Sequence, residues 1–316
     1  MTVPTVSVVM ATYNRCAFLP RVLDALLADP GVTELVVVVD GCRDGSLELL
    51  ERVRRDDPRV VAHWQQNAGA SLAQQRGIEL ATGDVVLMFD DDQIAGPGLA
   101  SGHAQHHADR SGLVVVGYVP PPPLEPDATF VQRDYVTAYA EDCRRFEAGA
   151  PVLEQLWGGN LSLRREDMLR VGWASNRFPH RYHYDWDFGL RCIEAGLTGV
   201  YDGSLTALHE YHRTPAQFRR EAREQGRALR LLADLHPGLT DSTRYHHRGR
   251  IIGRIQRLAR RPRASELIAR ALVAAAATLH RLHRYGLEAL AGNLLWYVEA
   301  QRGAIEEHGR LTGGRR

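Results

Sequence analysis

Apolar, largely β-branched runs recur through the first third of the chain, at Val6–Tyr13, Leu35–Asp40, Val60–Trp64, Val85–Phe89 and Leu113–Tyr118. Between them lie stretches with apolar residues at helical spacing, Phe18–Leu27, Leu47–Arg54 and Ala70–Ala81. Strand-length runs without polar alternation are the pattern of strands buried on both faces. They predict an α/β domain whose mostly parallel central sheet is covered by helices. Right-handed crossovers in such a sheet gather ligands at the carboxyl ends of the strands.

The pattern changes at Pro120–Pro123, with Pro126 beyond, which predicts a stiff surface loop opening a less regular section. From Thr214 the chain reads as helical. Thr214-Pro215-Ala216-Gln217 is a capping-box arrangement, and Phe218, Ala222, Leu229 and Leu232 follow at helical spacing. Two further helices are predicted near Ser265–Leu282 and Leu287–Glu307, with Leu267, Ile268, Ala271, Leu272 and Ala275 forming one apolar stripe. The expected organisation is an α/β domain over 1–215, in two halves divided at 118/119. A helical C-terminal extension over 216–316 follows.

Composition narrows the function classes. Of 316 residues, 44% are hydrophobic and 24% charged, enough for a buried core, and the net charge of +1 argues against a general nucleic-acid binder. Cys16, Cys42, Cys143 and Cys192 are widely spaced, which predicts a reducing, cytoplasmic setting. No signal-peptide pattern follows Met1, and the most apolar stretch, Ala269 to Leu279, is too short to span a bilayer. Arg244 to Arg263 holds eight Arg and no acid, with Ile251, Ile252, Ile255 and Leu258 along one helical face. Such a segment can lie at the inner face of a membrane or bind an acidic carrier. The commoner alternative is that it packs its apolar face on the protein and leaves Arg solvated. A homodimer is left open.

Polar clusters follow three of the strands. They are Ala11-Thr12-Tyr13-Asn14-Arg15, then Asp40-Gly41-Cys42-Arg43-Asp44-Gly45-Ser46, then Asp90-Asp91-Asp92. Three adjacent carboxylates at the end of a buried strand repel one another, and a hard divalent cation such as Mg²⁺ or Mn²⁺ is the usual compensation. A solvated acidic turn is the alternative reading of the triplet alone.

Ser7 to Arg15, Val39 to Ser46, Asn67-Ala68-Gly69, Gln74-Gln75-Arg76-Gly77, Ala81-Thr82-Gly83-Asp84 and the Asp triplet together resemble the signatures of family-2 glycosyltransferases, through roughly residue 215. The resemblance implies a GT-A fold, an inverting mechanism, a nucleotide-sugar donor (a UDP-sugar first) and a divalent metal. It places Thr12, Tyr13, Arg15, Asp40, Asn67, Arg76, Asp90 and Asp91 at the donor, with Asp40 on the base or ribose. Asp90 and Asp92 match the DxD motif and, with His209, are the expected metal ligands. Two departures stand out: Val39 precedes Asp40 where an acid is common, and Gln74-Gln75 replaces Arg-Asn.

Tyr184-Asp185-Trp186-Asp187 resembles the family's acidic segment under the acceptor, with Asp185 at the position of the catalytic base. Asp185 and Asp187 could instead cap a helix N-terminus. Trp157, Gly158, Asn160 and Trp186 match positions bordering the acceptor, although the aromatic and Leu positions also fit a core. The acceptor class stays open among a glycan, a lipid-linked sugar and a small molecule. His103, His106 and His107 complete no zinc pattern, so a solvated helix surface is expected. Alternative functions are a nucleotidyltransferase of related fold, which would want a Gly-rich basic phosphate loop absent here, or a non-catalytic carbohydrate-binding relative.

Overall fold

The computed structural model describes residues 3–210, 214–237 and 261–313. Most of the Arg-rich segment, 244–260, lies outside the described residues, as does His212, the nearby alternative to His209 as a metal ligand. The chain forms two compact units. The first takes the described residues up to 122, 142–177 and 184–210; the second takes 123–141, 178–183 and the described residues from 214 onward. The helical unit thus includes two segments from within the first 215 residues.

The first unit begins as predicted, with β1 (Val6–Thr12), α1 (Leu19–Leu27), β2 (Val32–Asp40), α2 (Ser46–Asp56), β3 (Val60–Gln65), α3 (Ala70–Leu80) and β4 (Val85–Phe89). It continues through β5 (Gln93–Ala95), α4 (Leu99–His106), β6 (Leu113–Tyr118), β7 (Asn160–Arg164), α6 (Arg165–Val171), α7 (Tyr184–Glu194) and β8 (Thr198–His209). Sheet order is β3-β2-β1-β4-β7-β6-β8-β5. β1 to β4 are mutually parallel where they pair, and β6 runs parallel to β8. β7 is antiparallel to both β4 and β6, and β5 is antiparallel to β8.

Alternation along the strands sends side chains to two cores. Val8, Met10, Leu35 and Leu87 pack with Leu23 of α1, Leu50 of α2 and Leu99 of α4. Val9, Val36, Val86 and Met88 pack on the other face with Ile78 of α3, Met168 of α6 and Phe188 of α7. Burial on both faces explains why these strands lack polar positions.

Three features depart from the sequence reading. The irregular section contains an 18-residue helix, α5 (Phe130–Glu147). The longest strand, β8, was not predicted, because exposed and half-buried positions such as Asp202, Gly203 and Ser204 interrupt its apolar pattern. His103 and His107 are fully buried rather than solvated. Their rings share the Ser162 hydroxyl, His103 Nδ1 at 2.7 Å and His107 Nε2 at 2.9 Å, and His103 Nε2 lies 2.8 Å from Asn160 Oδ1. Burial holds both imidazoles in the neutral form, with pKa values pushed down to about 4 and about 3.

The second unit contains α8 (Pro215–Leu235), α9 (Pro262–Arg281) and α10 (Tyr285–Leu311). The capping box at Thr214 and Gln217 forms as expected. Phe218, Ala269, Ala276, Leu295 and Val298 build its core with Phe130 and Val131. α8 and α10 touch backbone to backbone: a Cβ on Gly303 would run into the Arg223 carbonyl, and one on Gly226 into that of Ala300. Among the described residues no helix is long and apolar enough to cross a membrane.

Candidate active site

The site is assembled by strand register. β4 and β7 pair antiparallel with Phe89 opposite Asn160, so the residues just after β4 lie beside those just before β7. Asp90 therefore meets Gly158-Gly159, although some 70 positions separate them in sequence. A Cβ on Gly159 would collide with the Asp90 carboxylate and the Gln93 amide. Likewise, β5 and β8 pair with Gln93 opposite His209, and His209 Nε2 lies 3.4 Å from Asp92 Oδ1. From the end of β1, Arg15 reaches Asp92 at 3.1 Å and Asp91 at 3.9 Å.

The three carboxylates are electrostatically distinct. Burial, reinforced by Asp92, pushes the Asp90 carboxyl up to about 7. Burial also raises Asp91 to about 6. Burial would raise Asp92 too, but the neighbouring His209 and Arg15 outweigh it and hold Asp92 below its ordinary value. Thr12 is buried beside Asp91, with its hydroxyl outside standard hydrogen-bonding geometry.

A divalent metal fits this donor set. Carboxylate charge is in excess, and Asp92 with His209 supplies an oxygen and an imidazole nitrogen side by side. Among the described residues no three His, Cys, Asp or Glu side chains already form a metal cage. An open site of one or two protein ligands completed by phosphate oxygens is the arrangement such ions commonly take.

Asp185 stands in the first turn of α7. Its Oδ1 accepts the Trp186 N–H at 3.0 Å, and the Gly158 main chain also hydrogen-bonds to the carboxylate. Burial pushes its pKa up to about 6. Asp187 instead pairs with Arg191 at 2.8 Å, and Arg191 binds the Gly172 carbonyl and, at 2.8 and 2.9 Å, those of Val171 and Trp173. Asp187 thus anchors α7, whereas Asp185 lies against Gly158, the neighbour of the Gly159 that abuts Asp90.

Gln74 is a member that sequence reading registered only as a departure. Buried on α3, its Oε1 accepts from Trp173 Nε1 at 2.9 Å and Tyr184 Oη at 3.1 Å. An indole N–H can only donate, so the amide oxygen must face it and Nε2 must face Asp90 Oδ1, 3.4 Å away. Gln75 Oε1 holds the Trp173 and Ala174 amides at 2.8 and 3.2 Å. The two glutamines fix the turn beneath α7. Nothing in the sequence marked Trp173.

Other expected residues are placed differently. Asp40 is buried, and its carboxylate accepts from Gln65 Nε2 and the Ala68 and Gly69 amides at 2.8–2.9 Å, which shapes the loop before α3. Asn67 donates to the Asp40 carbonyl at 2.9 Å, and Tyr13 is 55% exposed. Arg76 turns along α3 to Glu79 at 3.3 Å and to His63 at 3.4 Å rather than toward the triplet. Asn160, expected at the acceptor, is fully buried: its amide joins His103 and the Leu205 carbonyl and ties the sheet together. Trp157 packs on Phe146 and Tyr201 and donates to the Gly117 carbonyl, so its ring is half-buried against the core. Trp186 is half-buried beside Asp185.

Comparison with known proteins agrees with this architecture. Residues 7–149 match the family described as glycosyl transferase family 2. A glucosyl-dolichyl phosphate glucuronosyltransferase of Haloferax volcanii is 31% identical over 175 residues, 53% of this chain and 55% of the relative. A validoxylamine A glucosyltransferase of Streptomyces hygroscopicus subsp. limoneus is 28% identical over 223 residues, 62% of this chain and 49% of the relative. The chain spans about half the length of these two relatives. In fold it is similar to a mannosyltransferase from Pyrobaculum calidifontis in complex with GDP-Man and Mn²⁺, with a TM-score of 0.65 at 16% identity, covering 96% of this chain and 87% of the other. Over residues 7–149 the chain is similar to glycosyltransferase family 2, and its architecture is the GT-A fold.

Proposed function

We propose that this chain transfers a sugar from a nucleotide-diphosphate donor to an acceptor hydroxyl, with inversion at the anomeric carbon. One observation carries the reading. A carboxylate poised near neutrality, Asp185, and the half-buried Asp90–Asp92 cluster both border the Gly158-Gly159 turn, within electrostatic reach of each other. With a carboxyl titrating near 6, Asp185 is ionised at neutral pH yet basic enough to take a proton. The acceptor O–H proton passes to Asp185 as the oxygen bonds to the anomeric carbon. The bond from that carbon to the phosphate oxygen breaks on the opposite side, and its electron pair leaves with the diphosphate.

Asp92 and His209 would hold a divalent metal, Mn²⁺ or Mg²⁺, which supplies positive charge for the diphosphate leaving group. Asp90 and Asp91 border the donor. Arg15, 3.1 Å from Asp92, brings a second cation to the same edge. Asp40 and Asn67 shape the loop expected around the base and ribose. Gln74 and Asp187 hold α7 so that Asp185 keeps its place.

A UDP-sugar is the first donor to try, with GDP-mannose beside it because the mannosyltransferase of similar fold holds that donor. A lipid-linked sugar is one acceptor to test, as the Haloferax relative is named for a dolichyl phosphate substrate. A thermal-shift panel of nucleotide sugars with Mn²⁺ or with chelator should give a metal-dependent stabilisation by one nucleotide class. The anomeric configuration of the product, read by NMR, decides the mechanism: retention would refute single displacement.

A further inference from the structure

We propose that the outward face of α9, with the turn into α10, docks on a bilayer surface carrying anionic phospholipid headgroups. This inference is independent of the transferase reading. The exposed stripe of α9 runs Arg263, Leu267, Arg270, Ala274, Ala277, Arg281 at spacings of four and three, along one side of a helix about 30 Å long. Leu282 in the turn and Leu287 and Leu290 at the start of α10 follow it in sequence.

Two properties set this face apart from an ordinary solvated helix. Leu267, Leu282, Leu287 and Leu290 are 68%, 63%, 50% and 54% exposed, among the most exposed large apolar side chains described. The face also carries no exposed acid between Arg261 and Leu290. Glu288 is buried, with Phe130 and Arg133 as partners, and Glu266 is half-buried between Arg219, Arg270 and Arg302. The guanidinium groups of Arg263, Arg281 and Arg284 have no partner among the described residues. A water-facing helix normally mixes both signs of charge, whereas this one exposes Arg, Leu, Ala and Thr278 and no acid.

Charge complementarity selects the occupant. A second copy in two-fold contact would set this face against itself, Arg263 opposite Arg281, with no carboxylate to relieve the repulsion. An anionic bilayer supplies both missing parts. Headgroup phosphates meet the arginines, and the headgroup–acyl boundary takes the leucines, as for helices that lie in the interface plane. In sequence the stripe directly follows a block in which eight Arg fall between positions 244 and 263 without an acid.

The test is co-sedimentation of the full chain with phosphatidylcholine vesicles, with and without phosphatidylglycerol, alongside light scattering for solution mass. Wild type should pellet only with the phosphatidylglycerol vesicles. The combined variant Leu282→Ser, Leu287→Ser, Leu290→Ser, and separately Arg263→Glu with Arg281→Glu, should each weaken binding by about tenfold or more at unchanged melting temperature. Added salt should weaken wild-type binding. Wild type that ignores phosphatidylglycerol overturns the proposal. So do α9 variants that bind like wild type, which would move the attraction to the Arg-rich block alone. A dimer in solution that the leucine substitutions dissociate overturns it as well, by making a second copy the occupant.

Discussion

Replacing Asp185 with Asn should make the metal-free protein more stable while removing its activity. The carboxyl titrates at about 6 in the fold against 3.8 for the ordinary group, because burial disfavours its ionised form. A folded-state pKa raised by about two units means that ionisation destabilises the fold, fully above pH 6 and not at all well below pH 4. At about 1.4 kcal/mol per unit this amounts to roughly 3 kcal/mol at pH 8, and to about half of that at pH 5. Asn keeps the oxygen that accepts the Trp186 N–H, so the start of α7 should persist. Urea denaturation followed by circular dichroism, at pH 8 and pH 5 and with wild type in parallel, measures the difference. The variant should gain of the order of 3 kcal/mol at pH 8, with the gain shrinking toward pH 5, while turnover falls by about 10²-fold or more. Equal or lower stability at pH 8 would refute the electrostatic argument. Full turnover by the folded variant would refute the assignment of the base.

Other consequences are as direct. His107 is held neutral with its pKa pushed to about 3, so the stability it contributes is present above pH 6.5 and lost as pH falls; His107→Gln should lose about 2 kcal/mol less than wild type between pH 7.5 and pH 5. Gly159→Ala should cost about 1–3 kcal/mol and most donor affinity, since the added methyl meets the Asp90 carboxylate; calorimetry with a nucleotide diphosphate and Mn²⁺ reads it, and undiminished affinity would refute the role of Asp90 at the donor. Gly303→Ala tests the helical unit by sign. Helix propensity alone predicts a gain of up to about 1 kcal/mol. The Arg223 carbonyl against that position predicts instead a loss of about 1–3 kcal/mol, visible as a lower melting temperature.

The donor half was legible because its physics is local in sequence. β1, β2 and β4 are buried on both faces, so their apolar runs have no competing interpretation, and α1 to α3 repeat at 3.6 residues. The acidic triplet was visible because its members are adjacent. The acceptor half is non-local. His103 looked like surface until Ser162 and Asn160, almost 60 residues away, supplied its partners. Trp173 matters through Gln74 and Gln75, about a hundred positions earlier, and no spacing rule links them. Trp157 and Asn160 flank two glycines as ligand-facing residues would, but register turns Asn160 inward and packing on Phe146 and Tyr201 half-buries Trp157. Strand β8 was missed because water-facing Asp202 and Ser204 dilute the periodic signal on which strand prediction relies.

The pairing of Phe89 with Asn160 bears on how such an enzyme can change its substrate. The spacing between Asp90 and Asp185 is set by one hydrogen-bonded ladder and the two-glycine turn at the end of the β6–β7 connection. Of that connection, only the exposed stretch 123–127 can lengthen, shorten or be exchanged without disturbing this geometry, because the residues around it supply core side chains. An exchange of that short stretch with a relative's is therefore a modular operation. A single residue deleted inside β7 would instead swap the faces of Leu161 and Ser162 and dismantle both halves of the site at once.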